Sequence, residues 1–321
     1  MTRVHGEGAY RYTITNDWAK VPPGMEWREV AAVAVDDQDQ VYVFNRGPHP
    51  MMVFDREGNF LRSWGEELFV RAHGAHIAPD NLLYLTDDLD HTVRKCTLDG
   101  KVLLTLGIPG TPAPFMSLDP FNRCTHTALS PDGAIYVSDG YGNACVHKYS
   151  PEGKHLLSWG ASGTGPGEFN LPHNICCDGD GWVYVADRES HRVQVFDGNG
   201  RFETQWSNVH RPCGLFMPTG RCPVCYVGEL GPVLSVNRSF PHLGPRISIV
   251  DSAGVLLARV GDAGDAGCAP GQFIAPHGLA VDSAGDVYVG EVSATAWPQL
   301  YPEEPMPTPL PSLRKMLRVT D

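Results

Sequence analysis

The sequence has no long apolar run and no excess of positive charge. No segment approaches the roughly 18 consecutive apolar residues that span a bilayer, and the first residues, MTRVHGE, lack the apolar core of a secretory signal. The 25 Lys and Arg residues are outnumbered by 37 Asp and Glu residues, which gives a net charge of −12. Because proteins that hold phosphate groups usually present a basic face, neither nucleic acid nor a membrane is an expected partner. We expect a cytoplasmic protein.

Cysteine is too sparse for a disulfide-stapled domain. The nine cysteines are an odd number and are spread through the chain, as expected of free thiols in a reducing compartment. Glycine and proline, by contrast, are abundant, with 35 and 27 residues and no Gly-x-y period. Together with the 42% of apolar residues, they predict a packed protein of many short elements and turns rather than collagen, a helix-rich protein or a disordered chain.

A repeat of about forty to fifty residues organises the chain. The clearest copy, residues 171–206, reads LPHNICCDGDGWVYVADRESHRVQVFDGNGRFETQW. Its apolar segments and Gly-containing turns predict four short strands. The pattern recurs in residues 30–65, 72–107, 124–160, more loosely in 212–261, and from residue 276 onward.

The sixth copy is incomplete at its C-terminal end. It offers two strands at residues 277–281 and 286–290 and a third at 313–319, whereas residues 10–18 can supply the fourth. An N-terminal strand that completes the last repeat closes a ring of sheets. We therefore predict an all-β fold, a six-bladed β-propeller, as a single domain over residues 1–321, rather than a β-sandwich or an open repeat array.

Six equivalent positions of the repeat are expected to face the axis of the ring. They stand fourteen residues before the end of each second strand, except in the fifth copy, where an insertion around residues 220–223 shifts the spacing by two. In chain order these ring positions are Ala31, His73, Thr125, His173, Cys213 and His277.

Histidine occupies alternate ring positions. Alternate members of a six-membered ring are about 120° apart, so the imidazoles of His73, His173 and His277 are predicted to converge. Three neutral nitrogens with an open coordination position are typical of a catalytic metal site, for which zinc is the first candidate and Mn, Fe, Ni or Cu are alternatives. A histidine taken singly, however, is more often a satisfied core or channel residue than a ligand.

Other recurring polar residues are interpreted as structural. His49, His91 and His191 are expected to bond turn backbones. The carboxylates Asp87, Asp139, Asp187 and Glu291, at the ends of second strands, are expected to stabilise turns. His76 and His126 stand near the channel ends of their strands, and the sequence leaves open whether they or Cys213 contact a substrate.

These features resemble a known family. The segment GPGEFNLPHNICCDGDGWVYVADRESHRVQVFDGNGRF is similar to an NHL repeat, and residues 30–290 resemble the peptidyl-α-hydroxyglycine α-amidating lyases, which are six-bladed propellers. The family's three zinc-binding histidines match His73, His173 and His277. Its SDGY segment, whose tyrosine is the proposed catalytic base, matches Tyr141, and an arginine after the second strand of the first blade matches Arg46. The resemblance thus implies Tyr141 and Arg46 as catalytic residues.

The chain also departs from this family. A carboxylate of the family's calcium site follows the third histidine, where this chain has Gly278, so a structural calcium is doubtful. A second arginine of the family falls at Cys213, with Arg211 two residues away, and a methionine falls at Ala275. Recognition of a peptidyl substrate's carboxylate is therefore expected to be weaker.

Three long loops are expected to cover a mouth of the channel, namely residues 108–120, 230–246 and 293–312. The last two follow second strands and should lie near the metal, where their apolar content favours a partly hydrophobic ligand. The leading hypothesis is a metal-dependent lyase that acts on a carbinolamine-like or related hydroxylated small molecule. The alternatives are a metal-dependent hydrolase of a lactone or amide and a non-enzymatic NHL scaffold, because a propeller can host all three.

Overall fold

The fold is known from a computed structural model that describes residues 3–218, 224–238, 240–262, 264 and 266–320. The insertion of the fifth repeat, at residues 220–223, lies outside these residues. Two N-terminal strands, β1 (His5–Glu7) and β2 (Tyr10–Thr15), precede six antiparallel sheets that form the blades of a propeller. No helix in the described part of the chain is long and apolar enough to cross a membrane.

The first three blades each contain four consecutive strands. Blade 1 consists of β3 (Val30–Val35), β4 (Val41–Asn45), β5 (Met51–Phe54) and β6 (Phe60–Trp64). Blade 2 consists of β7 (Ala72–Ile77), β8 (Leu83–Asp87), β9 (Thr92–Cys96) and β10 (Val102–Leu106). Blade 3 consists of β11 (Cys124–Leu129), β12 (Ile135–Asp139), β13 (Cys145–Tyr149) and β14 (His155–Trp159).

The last three blades follow the same order. Blade 4 consists of β15 (Pro172–Cys177), β16 (Val183–Asp187), β17 (Arg192–Phe196) and β18 (Phe202–Trp206). Blade 5 consists of β19 (Pro212–Phe216), β20 (Val224–Glu229), β21 (Arg246–Asp251) and β22 (Leu256–Val260). Blade 6 takes β23 (Pro276–Val281), β24 (Val287–Glu291) and β25 (Leu313–Arg318) from the C-terminal part of the chain.

The predicted closure of the ring is confirmed. Strand β2 pairs with β25, with Tyr12 opposite Arg318 and Thr15 opposite Lys315, and β1 adds a fifth strand at the outer edge. The innermost strands contact one another around the ring, and β23 contacts β3. Both ends of the chain are thereby held in one sheet, so no large sheet edge is left open at the seam.

Burial decreases from the axis outward. The second strand of each blade is buried along its whole length, whereas the outermost strands β10 and β14 are largely exposed. A strand covered on both faces is built from a continuous apolar run rather than from alternating residues. This explains the repeated Val-Tyr-Val segments of the sequence.

Each ring position is a β-bulge. In blade 2 the pairing of β7 with β8 shifts between Ala72 and Gly74, which leaves His73 as the extra residue, and the same shift occurs at the equivalent residue of the other five blades. A bulge redirects the side chain of its extra residue. The bulges therefore explain why a fixed spacing along the chain marks residues that meet at the axis.

One predicted loop contains a helix. Residues 293–300 form α1 (Ser293–Leu300) instead of irregular chain. The Glu29 side chain from blade 1 accepts hydrogen bonds from the backbone N–H and the hydroxyl of Thr295, at 2.7 and 2.8 Å. A carboxylate at a helix N-terminus stabilises its unpaired N–H groups. This cap comes from a residue distant in sequence, so the local pattern could not indicate it.

Candidate metal centre

Three imidazoles meet at the axis. One ligand atom from each of His73, His173 and His277 lies within 4.8 Å of the others, and the ring centroids are 4.7–4.9 Å apart. All three side chains are buried. The prediction that the three histidines at alternate ring positions converge is confirmed.

The other three ring positions orient these histidines. The Nδ1 atoms of His73, His173 and His277 bond the backbone carbonyls of the next ring residues, Thr125, Cys213 and Ala31, at 2.7, 2.8 and 2.6 Å respectively. Because a carbonyl only accepts, each Nδ1 carries the proton, and each Nε2 keeps its lone pair. This is the arrangement by which proteins fix a metal-binding imidazole.

The three histidines are neutral at physiological pH. Burial, with smaller contributions from the neighbouring imidazoles and from Arg46 and Arg188, lowers the pKa of each imidazole well below 6.5. A metal competes with protons for the nitrogen lone pair, so a low pKa favours metal binding. The donor set, its tautomers and its charge state fit a divalent transition metal.

The carboxylates at the ends of second strands hold the segments that precede the histidines. Asp87 accepts a 2.6 Å hydrogen bond from the backbone N–H of Val70, and Asp187 accepts one of 2.7 Å from that of Asn170. Glu291 does the same for Ile274 and Ala275, at 2.5 and 2.9 Å. Asp139 likewise accepts a 2.9 Å hydrogen bond from the backbone N–H of Asn122, so all four carboxylates that were expected to stabilise turns hold the segment leading into the first strand of their blade.

Tyr141 lies against two of the histidines. Its hydroxyl oxygen is 3.1 Å from Nε2 of His73 and 3.0 Å from Nε2 of His173. The backbone just before Tyr141 runs close to blade 4. A Cβ atom at Gly140 would lie only 2.0 Å from the carbonyl oxygen of Pro172, so this position requires glycine. Burial raises the pKa of Tyr141, while the guanidinium groups of Arg188 and Arg46 act in the opposite direction. The phenol is therefore protonated at neutral pH in the protein alone.

Arg46 stands at the edge of the same site, but its charge is matched. It donates to the Ala72 carbonyl at 2.9 Å and forms a 2.7 Å ion pair with Glu29, whose side chain is only 2% exposed. Glu29 is thus shared between Arg46 and the start of α1. Arg46 can offer hydrogen bonds to a ligand, but little net charge.

A cavity of about 260 Å³ adjoins the site, and of the three histidines His277 lines it. Tyr141, His277 and Arg46 contribute to its wall. The wall is completed by residues of two of the predicted loops, 230–246 and 293–312, among them Leu230, Val233, Thr295 and Leu300. A second cavity of about 360 Å³ adjoins it and shares Arg46, Arg71 and Thr295. The predicted place of these two segments beside the site is confirmed.

Four further arginines line this wall, namely Arg71, Arg123, Arg188 and Arg211, and none of them was predicted from the sequence as a site residue. The repeat held a signal for them. Arg71, Arg123 and Arg211 stand two residues before a ring position, and Arg188, like Arg46, directly follows the end of a second strand. Extending the fourteen-residue spacing by these two offsets would have identified all of them.

The remaining polar residues fall outside the cavity wall. Cys213 is buried beside His173, with its sulfur 3.4 Å from Nδ1, and His76 and His126 are partly buried. His91 and His191 accept hydrogen bonds from the backbone N–H groups of Arg123 and Arg211, at 3.0 and 3.1 Å. His49 instead contacts Glu66 at 2.8 Å. His91 and His191 thus bond the backbone, as predicted. The backbone they bond belongs to the segment that leads into the next blade, not to their own turn.

A second cluster, in blade 3, combines Asp139, Cys145 and His147. His147 Nε2 lies 3.3 Å from Asp139 and 3.4 Å from the Cys145 sulfur, and all three residues are buried. In blade 4 the equivalent carboxylate of Asp187 pairs with Arg192 at 2.9 Å. The cluster in blade 3 therefore stands where blade 4 has the buried ion pair between Asp187 and Arg192.

No side chain fits at the position after the third histidine. A Cβ atom at Gly278 would lie 2.5 Å from the Cα atom of Ala32 and 2.9 Å from the carbonyl oxygen of Ala31. The two inner strands approach too closely there for an aspartate. This geometry agrees with the expectation, drawn from Gly278, that the calcium ligand of the similar lyases has no counterpart here.

Comparison with known proteins gives relatives of two kinds. NHL repeat-containing protein 3 of Homo sapiens is 30% identical over 302 residues, which cover 88% of this chain and 82% of that protein. Peptidyl-alpha-hydroxyglycine alpha-amidating lyase 1 of Drosophila melanogaster is 34% identical over 164 residues, or 47% of this chain and 30% of that protein. Both similarities agree with the resemblance to NHL repeats and to amidating lyases that the sequence motifs indicated.

A solved structure supports the fold over nearly the whole chain. A gluconolactonase from Xanthomonas campestris superposes with a TM-score of 0.59 at 13% identity, over 98% of this chain and 94% of that one. At this identity the likeness concerns the fold alone. In sequence, the NHL repeat model matches residues 169–196, which overlap the clearest copy of the repeat, residues 171–206. With six such blades and a human relative that matches it over most of both lengths, the chain belongs to the NHL-repeat protein family.

Proposed function

We propose that this protein is a metal-dependent lyase that cleaves a carbinolamine-like or related hydroxylated small molecule. The observation that carries the proposal is the set of three neutral, carbonyl-oriented imidazoles that converge beneath a cavity and beside a tyrosine hydroxyl. The similarity to amidating lyases supports the same reaction class. A non-enzymatic scaffold would have no need for such convergence.

His73, His173 and His277 would hold the metal, with zinc as the first candidate. A bound divalent ion would supply a Lewis acid that lowers the pKa of a substrate hydroxyl. The imidazoles contribute neutral nitrogen ligands, and His277 and Tyr141 border the opening toward the cavity. That opening is where a small-molecule substrate would enter.

Tyr141 would move the proton. Cleavage of N–CH(OH)– to an amide and an aldehyde transfers one proton from the hydroxyl to the leaving nitrogen and consumes no water. A protonated phenol can donate to the nitrogen and recover the hydroxyl proton in the same event, which is general acid–base catalysis. Arg46 would orient a polar group of the substrate through a hydrogen bond, since Glu29 already matches its charge.

The test uses N-benzoyl-α-hydroxyglycine, whose cleavage by this route releases benzamide and glyoxylate. We expect glyoxylate from the wild-type protein and none above background from His173→Ala. Carried out in ¹⁸O-labelled water, the reaction should give benzamide without label. Labelled benzoate would indicate the metal-dependent hydrolase instead, and no reaction with any carbinolamine or lactone would favour the scaffold.

A further inference from the structure

Four arginines of the cavity form two pairs, each on a single carboxylate. Arg71 and Arg123 both bond Asp88, the latter at 3.1 Å. Arg188 and Arg211 both bond Glu189, at 2.7 and 2.9 Å. We call these the Asp88 pair and the Glu189 pair. Each contains two guanidinium groups and one carboxylate, so each carries one unmatched positive charge.

Nothing else in the wall balances these charges. Among the described residues that line the cavity there is no carboxylate, and the fifth arginine, Arg46, is already matched by Glu29. The cavity therefore has a surplus of two positive charges in a chain whose net charge is −12. The arginine side chains are only 12–35% exposed. Cations that are partly withdrawn from water are stabilised by counter-charges, and an anionic ligand can supply them.

One arginine of each pair lies beside Tyr141 of the proposed reaction centre. The guanidinium carbons of Arg123 and Arg188 lie 4.7 and 5.7 Å from the centre of the Tyr141 ring. The Tyr141 hydroxyl touches His73 and His173. A ligand that engaged both pairs would therefore lie across Tyr141 and the histidines.

We infer that the substrate is a small dicarboxylate with a hydroxyl-bearing carbon, one carboxylate binding at the Asp88 pair and the other at the Glu189 pair. Guanidinium groups bind planar carboxylates through paired hydrogen bonds, and two separate surplus charges match two separate carboxylates better than one compact anion. The cavity of about 260 Å³ limits the ligand to a small molecule. The placement of the hydroxyl carbon rests on the proposed function, whereas the preference for two carboxylates rests on the arginines alone.

The test is isothermal titration calorimetry with malate, which has two carboxylates, and lactate, which has one. Both carry a hydroxyl on the carbon next to a carboxylate. The full chain is measured after chelator treatment, so a failure of the metal hypothesis would leave this result unaffected. We expect malate to bind at least about tenfold more tightly than lactate. The second carboxylate of malate adds at least one hydrogen bond between charged groups, and one such bond raises the affinity by about tenfold or more.

Variants in each pair separate the two binding positions. We expect Arg123→Gln and Arg211→Gln each to remove most of the preference for malate, while Arg201→Gln, on an exposed turn away from the cavity, keeps it. Glu189→Gln should bind malate more tightly than the wild type, a gain that partial unfolding cannot imitate. The inference is overturned if malate and lactate bind equally, if the two arginine variants bind like the wild type, or if inorganic phosphate binds more tightly than malate.

Discussion

The carboxylates that hold the segments before the ring positions can be tested by a matched pair of substitutions, Asp187→Asn and Asp139→Asn. Both side chains are fully buried at the end of a second strand. Asp187 bonds Arg192 at 2.9 Å, whereas Asp139 faces His147 and Cys145. The two variants therefore make the same chemical change, one beside a permanently charged guanidinium group and the other beside an imidazole and a thiol.

The expected losses differ by a few kcal/mol. Asp187→Asn leaves the buried Arg192 without a counter-charge, and removal of one partner of a buried pair costs about 3–5 kcal/mol. Burial raises the pKa of Asp187 in spite of Arg192, so desolvation outweighs the attraction, and the loss reflects the unpaired partner rather than the net value of the pair. Asp139→Asn leaves no guanidinium group unpaired and weakens the hydrogen bonds that Asp139 accepts from Asn122 and Asn143, at about 1 kcal/mol.

The assay is urea unfolding followed by tryptophan fluorescence, with the free energy extrapolated to water. A lower metal affinity is also expected in Asp187→Asn, because Asp187 holds the segment before His173 through the backbone N–H of Asn170. Equal losses in the two variants would refute the account of Asp187 as a charge partner. An unchanged metal affinity in Asp187→Asn would refute its role in positioning His173.

Three further predictions concern single residues. Tyr141→Phe is expected to fold and bind metal like the wild type but to lose about 10²–10⁴-fold in kcat, and loss of the metal instead would contradict its role in proton transfer. Burial acts to raise the pKa of Glu189, but Arg211 and Arg188 lower it to about 2. Its stabilising effect is therefore present above about pH 4.5 and lost toward pH 2, so Glu189→Gln should flatten the pH dependence of the unfolding free energy in that interval. Gly278→Asp should destabilise the protein by about 1–3 kcal/mol without creating a calcium site, as followed by thermal melting with and without calcium, and stabilisation by calcium would contradict the close packing at Ala32.

The repeat made the ring and its three histidines predictable, because one spacing recurs in every blade. The residue at that spacing is the bulge of an inner strand, which is a local feature and is therefore visible in the sequence. The exchange of β2 into blade 6 was predictable for the same reason, since the sixth copy lacked one strand. Features that recur in every copy of the repeat can thus be predicted in one copy from their positions in the others.

Contacts between blades were not predictable in this way. The resemblance assigned Arg46 to catalysis, but its partner Glu29 also caps α1, and neither contact follows the repeat. The charge pairs of Arg123 with Asp88 and of Arg211 with Glu189 likewise join residues of different copies. The positions of these arginines could be found from the spacing, whereas their charge balance required the three-dimensional structure.

The central claim is that His73, His173 and His277 hold a transition metal, and metal analysis of protein purified without an affinity tag tests it most directly. The claim predicts about one equivalent of a transition metal in the wild type, as from one ion held by three imidazoles, and almost none in a folded His173→Ala variant. A wild-type protein without stoichiometric metal, or a His173→Ala variant that retains as much as the wild type, would contradict it.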